Sequence, residues 1–209
     1  MRINAISFVY AARFVLSPKT NGRDHIKGIL FEPLKSGLVR LLATDGHCLV
    51  VVHDGAVHID DETRQAWINP SAPGLLSAAK KGEVVTIRPD GIVEVEKAGA
   101  VIYVSPVSCE RKDKAAEFPP HEQVIGTELK PKARNYSLNT KYLDKFDLGN
   151  GVTVYPAGDN LDPLLVQPNL RDYSTEIESA IGLLMPMNQK LESGYTLSKE
   201  HIWTFINRE

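Results

Sequence analysis

Short apolar segments bounded by turn residues recur along this chain in one order, a short helix followed by three strands, at a period of roughly 60 residues. The first helical stretch covers residues 7–16, where Phe8, Ala11, Ala12 and Val15 share a face and Pro18 ends it; strands are expected at 26–32, 38–43 and 48–53. A second helix begins near Pro70-Ser71, carries Leu75, Leu76 and Ala79 on one face and stops at Gly82, and strands at 84–87, 92–95 and 101–104 follow. A third unit opens with a strand at 134–138. Asn139 or Thr140 then caps a helix through Tyr142, Leu143 and Phe146, before strands at 152–155, 164–166 and 180–185. Each unit reads as strand, short helix, then three strands. Such a repeat buries each sheet against its neighbours, and three is an odd number for units that usually pair. No Gly-rich phosphate loop follows any strand, and helices are too scarce for a parallel doubly wound sheet. The expected class is α+β with mostly antiparallel sheets.

The chain has 209 residues, 43% hydrophobic and 24% charged, enough for one substantial core or two smaller ones. No apolar run approaches the roughly 20 residues needed to cross a bilayer, and Met1-Arg2-Ile3-Asn4 lacks the plan of a secretory signal, so a cytoplasmic protein is expected with no membrane partner. Cys48 and Cys109 lack metal-type spacing and are expected as reduced thiols. The net charge of −2 does not announce nucleic-acid binding, but the placement of lysines on one face matters more than the total.

Chemistry-bearing motifs are sparse. The run Ala43-Thr44-Asp45-Gly46-His47 joins two apolar strands as a hairpin-like turn, since Gly accepts positive φ and Asp bonds the following amides. Asp45 and His47 tempt a catalytic assignment, but so close together in a turn they serve local hydrogen bonding. Gly-x-Ser-x-Gly, His-Glu-x-x-His and Cys-x-x-Cys are missing from the sequence, and His53 and His58 suit no shared metal face. The expectation is no enzyme, no cofactor and no metal.

Four short segments in order resemble the bacterial DNA polymerase III beta sliding clamp family. They are Arg23-Asp24-His25-Ile26-Lys27-Gly28-Ile29-Leu30-Phe31-Glu32, then Ala43 to Leu49, then Glu117-Phe118-Pro119-Pro120-His121-Glu122-Gln123-Val124-Ile125, and last Leu183-Leu184-Met185-Pro186-Met187. The resemblance implies a DNA clamp-like fold of about three units. Residues 1–126 would form one clamp-like domain of two units, 127–188 half of a further domain, and 189–209 an extension beyond the family's usual end. A family chain carries six units and closes as a dimer; a ring of that size would need four copies of this one.

In that family a groove between the middle and last domains receives short linear motifs from DNA polymerases and other replication or repair proteins. The positions that match it are Arg23, Ile26, Thr44, Gly46, His47, Cys48, Leu49, Pro119, Gln123, Val124, Leu183, Leu184, Met185, Pro186 and Met187. Aliphatic walls with adaptable methionines suit such a groove, though each residue taken singly also reads as ordinary core. Cys48, Gln123 and Asn188 stand where the family often has arginine, which lowers the rim's positive charge.

The family's helices also line a channel around double-stranded DNA without reading bases. Here that implies Arg13, Lys19, Lys80, Lys81, Lys141 and Lys145, with Asp144 and Asp147 offsetting the third helix and solvated surface as the plainer reading. In the extension, Ser198 caps an expected helix with His201, Ile202, Trp203, Phe205 and Ile206, a face that requires cover from this chain or a neighbour.

The resemblance therefore implies a clamp-like replication accessory or processivity protein, a homo-oligomer that encircles DNA, with phage or mobile-element origin resting only on the shortened architecture. The rival is a non-encircling adaptor, decoy or regulator that keeps the groove. A small-molecule-binding or structural β-rich domain is the third class.

Overall fold

A computed structural model of the chain describes residues 1–55, 65–115, 117–119, 138–155 and 163–185. Residues 134–137 of the strand expected at 134–138 and the extension at 189–209 lie outside the described residues, as do His58 and Asn188.

Among the described residues, eleven strands form two antiparallel sheets. The first unit consists of β1 (Arg2–Asn4), α1 (Ala5–Ala12), β2 (Ile29–Pro33), β3 (Val39–Thr44) and β4 (Cys48–Asp54). The second has β5 (Ala66–Ile68), α2 (Leu75–Ala79), β6 (Val84–Ile87), β7 (Val93–Lys97) and β8 (Ala100–Val104). A short helix α3 (Lys112–Ala115) follows. The third unit has α4 (Thr140–Leu143), β9 (Val152–Tyr155), β10 (Leu164–Pro168) and β11 (Ile177–Leu184).

The opening strands of the first two units change places. β1 pairs with β6 to give the four-stranded order β1-β6-β7-β8, and β5 pairs with β2 in the other sheet. This exchange locks two units into one body. The third unit joins through its last strand, because β11 pairs antiparallel with β4 from Ile177↔Asp54 to Leu184↔Cys48 and gives the seven-stranded order β5-β2-β3-β4-β11-β10-β9.

The two central helices differ from their expected bounds for local reasons. α1 starts at Ala5 because Asn4 is held outside the helix: its backbone N–H and its side-chain amide both donate to the buried Asp54 carboxylate, and the amide also donates to the Glu176 carbonyl at 2.9 Å. α2 starts only at Leu75 because Gly74 takes φ +82°, which a helix cannot include. In α4 the Asn139 side chain accepts from the Lys141 amide at 3.0 Å, as the capping pattern predicts.

Phe8, Tyr10, Ala11 and Phe14 of the first helical stretch are fully buried in a main core shared by both sheets and the third unit. Phe14 packs on Phe146 with ring centres 4.7 Å apart, and the Tyr10 hydroxyl donates to the Phe146 carbonyl at 3.1 Å. The seven-stranded sheet is apolar on both faces, which explains the near-continuous hydrophobic runs in β3 and β4. Its second face carries Leu30, Leu42, Leu49, Val51, Trp67 and Leu183, covered by Phe118 from the segment after α3.

Candidate functional site

The site begins with the turn between β3 and β4. The Thr44 hydroxyl donates to the Cys48 carbonyl at 2.6 Å and accepts from the Gly46 amide at 3.1 Å. Asp45 Oδ1 accepts from the amides of His47 and Cys48 at 2.8 and 2.9 Å, while Gly46 takes φ +90°. The sequence folds this way because Thr-Asp-Gly supplies two side-chain acceptors and one left-handed position in succession.

The third unit braces that turn from the side. Lys145 Nζ forms an ion pair with Asp45 Oδ2 and lies 5.4 Å from the centre of the Tyr142 ring, which itself stacks on His47 at 5.0 Å and 26°. Burial opposes charge on Asp45, yet the hydrogen bond from Lys145 and the two backbone amides outweigh it and hold its carboxyl below the usual carboxylate range. Burial, and then the Asp45 charge, push the Cys48 thiol up to about 12.

A second turn faces the first. Arg23 adopts φ +51° and leads into a 3-10 turn, Asp24–Ile26, whose His25 carbonyl accepts the Trp67 indole N–H at 3.0 Å. The Arg23 guanidinium sits beside Gly46, with Nη1 only 3.2 Å from where a Cβ would stand. Between the turns, Leu49 and Leu183 lie opposite one another across the β4–β11 junction, and the Met185 amide donates to the His47 carbonyl at 3.0 Å.

These pieces enclose an open cavity of about 300 Å³ lined by Arg23, His25, Ile26, Thr44, Gly46, His47, Cys48, Leu49, Pro119, Leu183 and Met185. Its walls are mainly aliphatic and sulfur-bearing, with Arg23, His25 and His47 as its nitrogen-bearing groups. Such a surface holds an apolar side chain or two and orients polar groups at the rim; Asp45 is spent on its turn and its lysine.

Of the expected groove residues, Leu184 is not at the cavity. It is fully buried in the main core on the opposite face of β11, since neighbouring strand residues point to opposite sides. Gln123, Val124, Pro186 and Met187 lie outside the described residues. His25 also lines the cavity, and its place between Arg23 and Ile26 in one turn is the sequence signal for it.

The basic residues expected at DNA divide into two groups. Lys145 is held by Asp45, and exposed Arg13 donates to the Asp147 carbonyl at 2.7 Å with its guanidinium over the Tyr10 ring. Lys19, Lys80, Lys81 and Lys141 are exposed, with Lys80 and Lys81 at the end of α2. Among the described residues no group of His, Cys, Asp and Glu is placed to hold a metal ion. Among the same residues no helix is long and apolar enough to cross a membrane.

No protein-family model matches the sequence, and no curated protein matches it. Solved structures do. The DNA polymerase III beta-subunit sliding clamp of Bartonella birtlesii bound to griselimycin superposes with a TM-score of 0.61 at 15% identity. The beta subunit of Pseudomonas aeruginosa gives 0.57 at 15%, and that of Streptococcus pyogenes 0.60 at 10%. Each match covers 90% of this chain and 66% of the clamp, so the chain spans just under two thirds of the length of the clamps it resembles. At such low identity the likeness is one of fold: over nine tenths of its length, this chain has the fold of the bacterial DNA polymerase III beta sliding clamps.

Proposed function

We propose that this chain is a clamp-like replication accessory protein, not an enzyme, that receives short linear motifs of a DNA polymerase or another replication or repair protein in the cavity beside the Thr44–His47 turn. The observation that carries this reading is the cavity itself. Its floor is the β4–β11 junction and its rim is set by two braced turns, so an apolar groove open to solvent is held in shape on the clamp fold. Exposed Met185 and half-buried His25 leave the mouth adaptable. The Bartonella clamp is seen bound to griselimycin, which makes that compound a direct probe here. The proposal expects saturable binding of griselimycin, or of a labelled clamp-binding peptide from a bacterial replicative polymerase, by calorimetry or anisotropy. Loss of that binding in Met185→Lys would place it in this groove.

The proposal extends to double-stranded DNA, held without sequence preference by Lys19, Lys80, Lys81 and Lys141 inside a homo-oligomer in the cytoplasm, with no cofactor. Retention on circular but not on linearised DNA tests encirclement. A non-encircling adaptor that keeps only the groove is the second reading. It is favoured by the engagement of Arg13 and Lys145 in contacts within the chain, which removes two of the cations expected to face DNA. Peptide binding without topological retention would select it.

A further inference from the structure

Two side chains that steady the cavity's rim come from outside its lining, from the segment that α4 opens. Phe146 anchors that segment, fully buried against Phe14 and Gly182. The segment closes in 3-10 fashion: the Lys145 amide donates to the Tyr142 carbonyl at 3.2 Å and the Phe146 amide to the Leu143 carbonyl at 3.0 Å. In such a turn residues three apart eclipse one another, so Tyr142 and Lys145 leave the segment on one side. That side meets the Thr44–His47 turn.

The two contacts fix different parts of His47. Lys145 pairs with Asp45 Oδ2, and Asp45 Oδ1 accepts from the His47 amide at 2.8 Å, which holds the His47 backbone but not its ring. His47 is exposed, and an exposed imidazole left to itself samples several rotamers. Tyr142 removes that freedom by stacking on the imidazole at 5.0 Å between centres, and Lys145 Nζ in turn lies 5.4 Å from the centre of the Tyr142 ring. Among the described residues none hydrogen-bonds the imidazole, so both of its nitrogens are available at the cavity.

We propose that Tyr142 is a positioning residue of the groove: stacked on His47, it presents the imidazole to a backbone carbonyl or side-chain amide of the bound peptide. The inference rests on the peptide-groove reading given above. A side chain held in its bound orientation before the ligand arrives has less freedom to lose on binding. A stacked pair of this kind accounts for a factor of about three to ten in affinity. The third unit thereby contributes to the groove through a residue that does not line it, and Lys145 serves as the brace between that residue and the turn.

Tyr142 also packs against the main core, so the test keeps an apolar side chain there: Tyr142→Phe retains the ring and Tyr142→Leu removes it. Both are made in the full chain, alone and with His47→Ala, and read by anisotropy of a labelled clamp-binding peptide from a bacterial replicative polymerase. In the peptide-free protein the imidazole protons of His47, assigned by their loss in His47→Ala, report the stack through their ring-current shift in proton–carbon NMR spectra. The expected shift is present in the wild type and Tyr142→Phe and lost in Tyr142→Leu. Peptide affinity should be unchanged in Tyr142→Phe and about threefold to tenfold weaker in Tyr142→Leu, with no further loss when Tyr142→Leu is added to His47→Ala. An undiminished shift or undiminished affinity in Tyr142→Leu would overturn the proposal. So would an equal loss of affinity with and without His47, which assigns Tyr142 to packing alone. A wild type that shows the shift but binds no peptide would overturn the groove reading itself, and this role with it.

Discussion

The Phe146 ring lies directly against Gly182, on the side of β11 where any other residue would place its Cβ. Gly182 is opposite Val50 in the β4–β11 pairing, so this contact sits at the seam that joins the third unit to the first. Phe146 is fully buried, and it also packs on Phe14. The absence of one methyl group thus lets a helix-bearing loop close over the sheet seam.

Gly182→Ala is expected to destabilise the fold by about 1–3 kcal/mol, because the aromatic ring and the Leu49 carbonyl leave the added carbon no space. Urea unfolding measures it, and Gly149→Ala, where nothing lies near the added carbon but φ is +99°, gives the cost of backbone strain alone. Gly182→Ala should cost more than Gly149→Ala.

Asp45 predicts a defined acid dependence. Its carboxyl is held below its ordinary value of about 3.9, despite burial, by Lys145 and two amides. A carboxyl with a depressed folded pKa contributes stability that is present above the unfolded value and lost as pH falls through the folded one. Asp45→Asn should therefore cost about 2 kcal/mol near neutral pH. The gap from the wild type should close as pH falls below about 4. Urea midpoints of both proteins between neutral and acid pH check this.

The thiols give a chemical readout of the same turn. Burial, followed by the Asp45 charge, raises the Cys48 thiol to about 12, and burial raises that of Cys109. Neither should react with a thiol reagent such as dithionitrobenzoate at pH 8 in the folded protein, and both should react in denaturant. Asp45→Asn is expected to speed the native reaction of Cys48 by loosening the turn that covers it.

Most of the fold was legible in the sequence, and the residues that were not show what governs them. β9 occupies 152–155 as its alternation predicts, and the other meander strands lie within a few residues of expectation. β1 and β5 leave no periodic signal in the sequence, because three residues are too few to display a period. Their exchange between sheets is a tertiary fact. The family resemblance groups Leu183, Leu184 and Met185 as groove, whereas the two-residue period of a strand separates Leu184 from its neighbours and the structure sends it into the core. The pairing of Asp45 with Lys145 joins residues 100 apart in sequence, so the tether on that lysine could not be read locally.

If Lys80 and Lys81 face DNA, replacing both with glutamate should weaken binding to a short duplex and flatten the dependence of log affinity on log salt by about two phosphate contacts. Fluorescence anisotropy across a salt series measures both quantities. Lys145→Gln should change the slope less, because that ammonium is already paired with Asp45.

The cavity between the Arg23 and Gly46 turns is proposed as a peptide groove. Anisotropy of a labelled clamp-binding peptide from a bacterial replicative polymerase tests it, with wild type and Met185→Lys compared at equal stability. Met185 is 42% exposed at the mouth, so a lysine there should leave the fold intact. The predicted result is saturable wild-type binding that Met185→Lys weakens by about tenfold or more, the effect of losing roughly one buried apolar anchor. Absence of wild-type binding, or equal affinity in the two proteins, would contradict it.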